Sequence, residues 1–504
     1  MSDQRAIIDH LTKTLELLSV EKSQPQQQKS VPEPRRVDTQ DLVEYSHSYI
    51  DFTYDNPTIY HLTASLSQKL EKAGFTYLSE KENWQDKLTK GQGGKFYTVR
   101  NGTNLSAFVV GDKWDQYKGV GAIGAHADSL TAKLKPLSKK KSVEGYELLG
   151  VAPYGGTLND LWFDRDLGIG GRVLYKDGDQ FKSKLISSAP HPIARIPSLA
   201  PHFGAPALPP FDKETQAVPV VGFSQGEEEE AATEQEKGSV LFGKHSLQLL
   251  RYVAQLAGLD VAQLVQLDLD LFDVQKGTIG GIKNDFLFAP RIDDRICSYA
   301  SLIALLEYAA NVDLANSDTF ALVALFDNEE IGSLSRQGAI GGLLKTTVER
   351  SARAFHEGPV DFHSLWANSI ILSADVNHLF NPNFAEVYLE NHRPKPNVGV
   401  TLSIDTNQHM VTDVIGTTFA EELGRINGDR VQYFHIKNNS RSGGTIGPYI
   451  ASQTGARTID LGIPQLSMHS IRATTGSKDV GLGVKFFRGF FKNWRPVLDR
   501  FGDL

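Results

Sequence analysis

Residues 320–333 read FALVALFDNEEIGS, an apolar run that ends in a group of acidic and amide side chains. The apolar residues Phe320–Phe326 are typical of a β-strand in an α/β protein. In such folds, ligands bind in the crevice at the carboxyl ends of the strands. Asp327–Glu330 would lie in that crevice, although a capped, solvated turn explains the same residues. Neighbouring glutamates such as Glu329 and Glu330 can also divide two roles, one binding a metal and one moving a proton.

Apolar runs of the same kind recur along the chain, and helical patterns such as Arg295–Ala310 are spaced among them. This alternation predicts an α/β fold with a mixed, largely parallel sheet flanked by helices. The other predicted strands are Val120–Ala125, Ser369–Ala374, Val398–Ile404, Val431–Ile436 and Thr458–Ile463.

Residues 130–285 differ from the rest because proline and glycine are frequent there, as in Pro190–Pro210. Short apolar pieces, Gly171–Tyr175 and Gly280–Phe288, predict strands in this region. We interpret it as a β-rich domain inserted into the α/β domain. The catalytic domain would then comprise residues 46–129 and 286–504.

Two of the predicted strands end in side chains that can bind metals. His126 follows Val120–Ala125, and Asp128 lies two residues further on, where it would share a face with His126 in an extended chain. Asp128 could therefore orient the His126 ring. Asp375 follows Ser369–Ala374. Taken singly, His126 and Asp128 are better explained as a hydrogen-bonded structural pair, and Asp375 is better explained as part of a turn or cap.

Two further groups lie close to predicted elements. Asp293 and Asp294 precede the helix near Arg295, where one acid would suffice as a cap and a second could bridge two metals. His469 lies in a loop after Thr458–Ile463, a place where a lone histidine means little. Together, two histidines and three carboxylates are enough for two zinc ions that share one carboxylate. Cobalt or manganese would suit the same ligands.

The composition excludes several classes of protein. The chain has 504 residues, enough for two domains, and 40% of them are apolar. Its net charge of −8 argues against nucleic acid as the main partner. The single cysteine, Cys297, rules out an intramolecular disulfide and a cysteine-based zinc site. We expect no membrane span and no ordinary secretory signal, because no apolar run approaches about 18 residues.

The first 45 residues are predicted to form a detachable arm. Residues 3–20 show an amphipathic helical pattern with Ile8, Leu11, Leu15 and Leu18 on one face, and residues 21–41 are polar and rich in glutamine and proline. This pattern predicts a helix followed by a disordered linker. The helix would dock on the protein's own surface, bind another protein or self-associate.

The motifs, taken in order, resemble those of the aspartyl aminopeptidase family of metallo-aminopeptidases. The resemblance extends from about residue 45 to the C-terminus. The fungal vacuolar branch of the family has segments similar to Tyr154–Asp160, Asp270–Gly277 and Lys437–Gly444, and a propeptide similar to the N-terminal arm. The family motifs are His126-Ala-Asp128, Trp162–Leu167, Arg291-Ile-Asp293-Asp294, Asn328–Ser333, Ser373-Ala-Asp375, Glu390–Pro394, Thr445–Pro448 and Met468–Arg472.

The resemblance implies a role for each matching residue. It implies two zinc ions per subunit, bridged by Asp293, with Glu329 as the general base. Asp128 would be the hydrogen-bond partner that orients the His126 ring. The resemblance also implies a cis peptide bond within Ile292-Asp293-Asp294. The implied zinc ligands are His126, Asp293, Glu330, Asp375 and His469, and the implied substrate-binding residues are His378, Gly443, Gly444, Thr445 and Gly447.

Three departures from the family pattern bear on the substrate. Asp294 stands where many members have Asn, Asp160 where the aspartyl-preferring branch has His, and Ala473 where others have Glu. They favour neutral, leucine-like N-terminal residues. The alternatives are a cytosolic aspartyl/glutamyl aminopeptidase, an amidohydrolase or carboxypeptidase on the same metal frame, and an inactive binding protein.

The resemblance also implies an assembly and a location. Members of the family form tetrahedral dodecamers that act on peptides in an inner chamber, and the inserted domain would make the dimer contacts. The precursor would be cytoplasmic, and an autophagy-type cargo receptor would recognise the face made by Ile8, Leu11, Leu15 and Leu18. The mature enzyme would act in the vacuole lumen after the arm is removed.

Overall fold

The computed structural model describes residues 39–89, 91–224 and 231–504. The predicted apolar face of the arm, formed by Ile8, Leu11, Leu15 and Leu18, lies outside these residues. Within the described ranges, no helix is both long enough and apolar enough to cross a membrane.

Most of the helices flank the main sheet, and α4 packs on a second sheet. Their bounds are α1 Thr39–Asp55, α2 Ile59–Lys72, α3 Glu234–Lys237, α4 Leu247–Ala257, α5 Ile292–Asn311, α6 Leu343–Phe355, α7 Phe362–Ala367, α8 Val414–Asn427, α9 Gly447–Thr454 and α10 Asp479–Leu498.

The strands form two large sheets and two small ones. Their bounds are β1 Thr76–Tyr77, β2 Gly94–Arg100, β3 Asn104–Val110, β4 Gly121–His126, β5 Thr131–Lys139, β6 Tyr146–Tyr154, β7 Leu167–Asp177, β8 Gln180–Ser187, β9 Val220–Phe223, β10 Leu264–Asp273, β11 Thr278–Gly280, β12 Phe286–Ala289, β13 Phe320–Phe326, β14 Ile370–Ala374, β15 Asn377–His378, β16 Thr401–Ile404, β17 Gln432–His435, β18 Arg457–Gly462, β19 Pro464–Gln465 and β20 Ala473–Gly476.

The main sheet has nine strands in the order β1-β2-β3-β13-β4-β14-β18-β16-β17. Its central strands β13, β4, β14 and β18 are mutually parallel, and antiparallel pairings occur only towards its edges. The predicted mixed, largely parallel α/β sheet is therefore confirmed. Because parallel strands end at the same edge, the residues that follow β4, β13 and β14 are brought together.

The apolar run that follows Ser317–Thr319 is buried on both faces. Ala321, Val323 and Leu325 pack into the core beneath α1, α2, α5, α8 and α10, whereas Phe320 and Leu322 pack beneath α6, α7 and α9. This alternation is the period of two that a strand imposes on its side chains. A strand covered by helices on both faces explains why the run contains no polar residue.

The second large sheet has six strands in the order β8-β7-β10-β5-β6-β9, and every pairing in it is antiparallel. It spans Thr131–Asp273 and packs its own core against α4. The predicted strand Gly171–Tyr175 is confirmed as part of β7. The interpretation of residues 130–285 as one inserted dimerisation domain stays a prediction.

Two predicted elements need correction. The run Gly280–Phe288 is not one strand, because the chain turns at Gly281, which has φ +88°, and forms the hairpin β11–β12. This hairpin pairs with β20 and does not join the six-stranded sheet. The strand predicted from Val398 begins only at Thr401, because Gly399 has φ +148° and a Cβ there would meet the carbonyl oxygen of Arg430 at 2.0 Å.

Candidate metal centre

The edge of the main sheet assembles the centre from strand ends. His126 is the last residue of β4 and pairs with Phe326 at the end of β13. Glu329 and Glu330 follow in a short helical turn that starts after Asn328, a residue in the left-handed region at φ 62°. The turn brings both glutamates back over the strand ends, beside His126.

Asp375 reaches the same edge from β14. Its main-chain N–H donates to the carbonyl oxygen of Leu461 at the end of β18. The neighbouring chain approaches so closely that a Cβ on Gly462 would meet the Asp375 carbonyl oxygen at 1.8 Å. Glycine is therefore required at residue 462 for Asp375 to sit here.

Asp293 lies between the two histidines. Its Oδ1 is 3.2 Å from Nε2 of His126, and its Oδ2 is 3.7 Å from Nε2 of His469. Asp293 and Asp294 have non-helical backbone angles at the start of α5, and the peptide bond between them is cis, as the resemblance implied. Each oxygen of a single carboxylate thus faces a different imidazole, which is the arrangement expected of a bridging ligand.

The remaining carboxylates divide between the two histidines. Asp375 Oδ1 lies 3.5 Å from Nε2 of His126, and Glu330 Oε2 lies 3.8 Å from Nε2 of His469. Glu329 Oε2 is also near, 3.9 Å from Nε2 of His126. The structure therefore brings together all six residues predicted as ligands or base.

The donor set fits divalent cations. Imidazole nitrogens and carboxylate oxygens are the ligands zinc takes in catalytic sites. The atoms of His126, Asp293 and Glu330 all lie within 4.8 Å of one another. Glu330 Oε1 is buried and has no hydrogen-bond partner among the described residues. Because an unpaired buried carboxylate oxygen is costly, a cation at this point would stabilise the arrangement.

The electrostatics also favour positive charge here. Burial lowers the pKa of His126, but the charge of Asp375 and the hydrogen bonds that the surrounding aspartates accept outweigh it and hold that pKa well above its usual value. Burial raises the pKa of Glu329 to about 8. Both shifts reflect buried carboxylates that lie close to one another and to His126, an arrangement that positive charge would stabilise.

Asp128 contacts the nitrogen of the His126 ring that faces away from the other predicted ligands. Its Oδ1 lies 3.3 Å from Nδ1 of His126 and its main-chain oxygen lies 3.2 Å from the same nitrogen. A proton held on Nδ1 leaves the Nε2 lone pair free for a metal. This is the contact that the predicted role of Asp128 requires, and the role itself stays a prediction.

The predicted substrate residues lie in two places. His378 is largely buried and packs on Phe434, with ring centroids 5.0 Å apart. Burial lowers its pKa, and the charge of nearby Asp293 opposes this effect. This lowered pKa favours the neutral imidazole beside the centre, and the contact of His378 with substrate stays a prediction.

The glycine-rich loop is anchored at one end. Thr445 donates through Oγ1 to Oδ1 of Asp460, 2.7 Å away, and a Cβ on Gly447 would meet the same oxygen at 2.3 Å. Gly443 and Gly444 are exposed and make no such close approach. If this loop meets substrate, its exposed glycines are the part available to do so.

Two functional candidates were missed by the sequence analysis. Asp294, considered with Asp293 as a helix cap or a metal bridge but not included among the predicted ligands, is fully buried, and its ligand atom groups with those of His126 and Asp375 within 4.8 Å. Tyr154, quoted only within a motif, donates its hydroxyl proton to Asp128. A tyrosine in a glycine-rich turn carries no local signal of this contact.

Comparison with known proteins places these residues in a family. Residues 52–491 match the model of the aminopeptidase I zinc metalloproteases (M18). The chain is 62% identical to vacuolar aminopeptidase 1 of Saccharomyces cerevisiae, with 100% of each chain covered. It is 35% identical to an aspartyl aminopeptidase of Aspergillus oryzae, over 90% of this chain and 97% of that protein.

Solved structures agree with these matches. A crystal structure of prApe1 superposes with a TM-score of 0.90 at 66% identity, covering 92% of this chain and 96% of the other. The mApe1 dodecamer of S. cerevisiae gives a TM-score of 0.85 at 60% identity, covering 92% and 100%. Ape4 in a complex with Nbr1 gives 0.86 at 33% identity, covering 93% and 89%.

Proposed function

Because this chain belongs to the aminopeptidase I family of zinc metalloproteases, we propose that its centre hydrolyses the first peptide bond of peptides with a free N-terminus. The membership confirms the family resemblance seen in the motifs. The observation that carries the proposal is the carboxylate of Asp293, whose two oxygens face two different histidines at 3.2 and 3.7 Å. A two-metal centre needs one shared ligand of this kind.

The residues that would hold the metals fall into two sets. His126 and Asp375 would hold one zinc ion, His469 and Glu330 the other, and Asp293 would bind both. When bound, the ions would supply Lewis-acid stabilisation of the developing oxyanion and activation of a water molecule. Asp128 keeps the His126 ring oriented through Nδ1.

Glu329 is placed to move the proton. Its side chain is only 17% exposed, and its Oε2 faces the centre beside His126. Its carboxylate would accept a proton from the attacking water and pass it to the nitrogen of the leaving amine. Positive charge in the centre would lower the pKa of Glu329 from the raised value that burial gives it, which keeps the carboxylate ionised near neutral pH.

The proposed substrates are peptides with neutral, leucine-like first residues. Asp160, Asp294 and Ala473 depart from the aspartyl-preferring pattern. Asp160 and Asp294 each add a carboxylate where other members have His or Asn, and this would disfavour an acidic substrate side chain by charge repulsion, whereas Ala473 in place of Glu adds no such repulsion. An aspartyl or glutamyl preference is the alternative, since an A. oryzae relative at 35% identity is an aspartyl aminopeptidase.

An anilide assay tests this activity and its specificity together. We expect the purified protein to release aniline from leucyl anilide at least about tenfold faster than from glutamyl anilide, and to leave N-acetyl-leucyl anilide uncut. A faster rate on glutamyl anilide would support the aspartyl/glutamyl alternative. Cleavage of the acetylated substrate would contradict an aminopeptidase.

The same relatives support an assembly and a cellular route. A solved relative at 60% identity is a dodecamer, and we propose the same assembly for this chain. We propose a vacuolar location for the mature enzyme because a relative at 62% identity is a vacuolar aminopeptidase. A cytoplasmic precursor would be carried there by an autophagy-type receptor, and a relative at 33% identity is solved in complex with Nbr1.

Substituting Leu11 with Lys tests the route without touching the centre. Lysine at residue 11 would place a charge on the predicted apolar face that contains Ile8, Leu15 and Leu18. A receptor groove that binds an amphipathic helix requires this face to be apolar. We expect the variant to stay in the cytoplasm with unchanged leucyl-anilide hydrolysis, measured by fractionation and enzyme assay. Thr14→Lys, on the same stretch but outside the apolar set, is the matched control. Normal vacuolar delivery of the Leu11 variant would refute the receptor role.

A further inference from the structure

The carboxylate of Asp128 faces four hydrogen-bond donors. Oδ1 faces Nδ1 of His126 and the N–H of Glu329, both at 3.3 Å, and Oδ2 accepts from the N–H of Glu330 at 3.2 Å. The fourth donor is the hydroxyl of Tyr154, at 2.8 Å from Oδ2. A carboxylate offers about four acceptor sites, so Asp128 is fully used.

The Tyr154 contact is the shortest of the four and comes from a different sheet. Tyr154 is the last residue of β6, in the six-stranded sheet, whereas the other three donors lie at the end of β4 or shortly after β13, in the main sheet. Its ring is 7% exposed, and Asp128 is 3% exposed. A hydrogen bond between a buried hydroxyl and a buried carboxylate is stronger than one in water.

The hydroxyl of Tyr154 is itself fixed. Nδ2 of Asn328 donates to it at 2.9 Å, so its own proton is directed at Asp128. Asp327 Oδ1 lies further away, at 3.4 Å, and already accepts the N–H of Asn328 at 2.8 Å. Asn328 therefore donates to Tyr154, and Tyr154 donates to Asp128, so that each of these donors has an acceptor.

We propose that Tyr154 is a positioning residue for the centre, acting through Asp128 on the His126 ring and on the backbone of Glu329 and Glu330. It touches no reacting atom. Without its hydroxyl, Asp128 would keep only weak contacts of 3.2–3.3 Å and could turn away from His126. The inserted sheet would thus contribute directly to metal affinity. This inference rests on the proposed zinc centre.

A double-mutant cycle with zinc affinity as its readout tests the proposal. In the full-length protein, Tyr154→Phe should lower zinc affinity about tenfold, as measured by competition with a chelator. Residues that hydrogen-bond to metal ligands typically contribute about 10- to 100-fold to metal affinity. In the Asp128→Asn background, Tyr154→Phe should lower zinc affinity by less than about twofold, since the hydrogen-bond partner of the Tyr154 hydroxyl is already altered. The visible spectrum of the cobalt-substituted protein should shift in Tyr154→Phe.

Tyr60→Phe is the matched control. Tyr60 is also buried, lines the same cavity between the sheets, and donates to Asp268 without touching Asp128. It should keep zinc affinity within about twofold, with folding of all variants checked by circular dichroism. Unchanged affinity in Tyr154→Phe, an equal loss in the Asp128→Asn background, or an equal loss in Tyr60→Phe would overturn the proposal. Failure of the wild type to bind zinc would instead refute the proposed function.

Discussion

Replacing Glu329 with Gln is expected to lower kcat by about 1,000-fold while both zinc ions stay bound. The amide keeps the size of the side chain but cannot accept the proton of the attacking water, and proton transfer contributes about 100- to 10,000-fold in such reactions. A loss of 1,000-fold corresponds to about 4 kcal/mol of transition-state stabilisation. Steady-state hydrolysis of leucyl anilide gives kcat, and elemental analysis gives zinc per chain.

The neighbouring substitution Glu330→Gln is the matched control. It makes the same chemical change one residue further on, but Glu330 Oε2 faces His469 and its Oε1 is buried without a partner among the described residues. We expect this variant to lose zinc as well as activity. Turnover near the wild-type rate in Glu329→Gln would remove Glu329 from the role of base.

Replacing Asp293 with Asn is expected to remove both metals and at least about 1,000-fold of the activity. Asn offers one carbonyl oxygen and one NH₂ group, so it cannot face both His126 and His469 with an oxygen. Losing the shared ligand weakens both sites at once, and the metals provide several kcal/mol of charge stabilisation in such reactions. Zinc per chain should fall from two towards zero after dialysis.

Asp375→Asn serves as the comparison. Of the two histidines, Asp375 lies near only His126, with its Oδ1 3.5 Å from Nε2. This variant should lose one zinc ion and retain the other. Equal zinc contents in the two variants would contradict a bridging role for Asp293. Two bound zinc ions in Asp293→Asn would contradict it more directly.

The location of the centre could be predicted from the sequence for a simple reason. The strand Phe320–Phe326 has an uninterrupted apolar run, and parallel strands must end at one edge. Side chains that directly follow such strands, as Glu329 and Asp375 do, are therefore placed by the sheet itself. In the main sheet, strand ends were predicted to within three residues. The largest difference is at the start of β16, because Gly399 has φ +148° and hydropathy does not reveal that conformation.

The division of roles within the centre could not be predicted from spacing. Glu329 and Glu330 are adjacent, and both lie within 4 Å of a histidine nitrogen. Their assignment as base and ligand came from the family resemblance. His469 lies in the loop between β19 and β20, with φ 62°. Pairings with β15 and with the hairpin β11–β12 hold the two ends of this loop, and neither pairing has a local signal in the sequence.

Tyr154 illustrates what sequence patterns cannot show. Its contact with Asp128 spans 26 residues and joins two sheets. Such a contact depends on the register of β5 and β6, where Thr131 pairs with Tyr154. No periodicity or local motif encodes that register, so long-range hydrogen bonds of this kind emerge only from the folded chain.

Titrating the metal-free protein with zinc tests the two-metal centre most directly. Hydrolysis of leucyl anilide should be absent at the start and should rise to a plateau at two zinc ions per chain. Full activity before zinc is added, or a plateau at one ion per chain, would contradict a centre in which Asp293 joins His126 to His469.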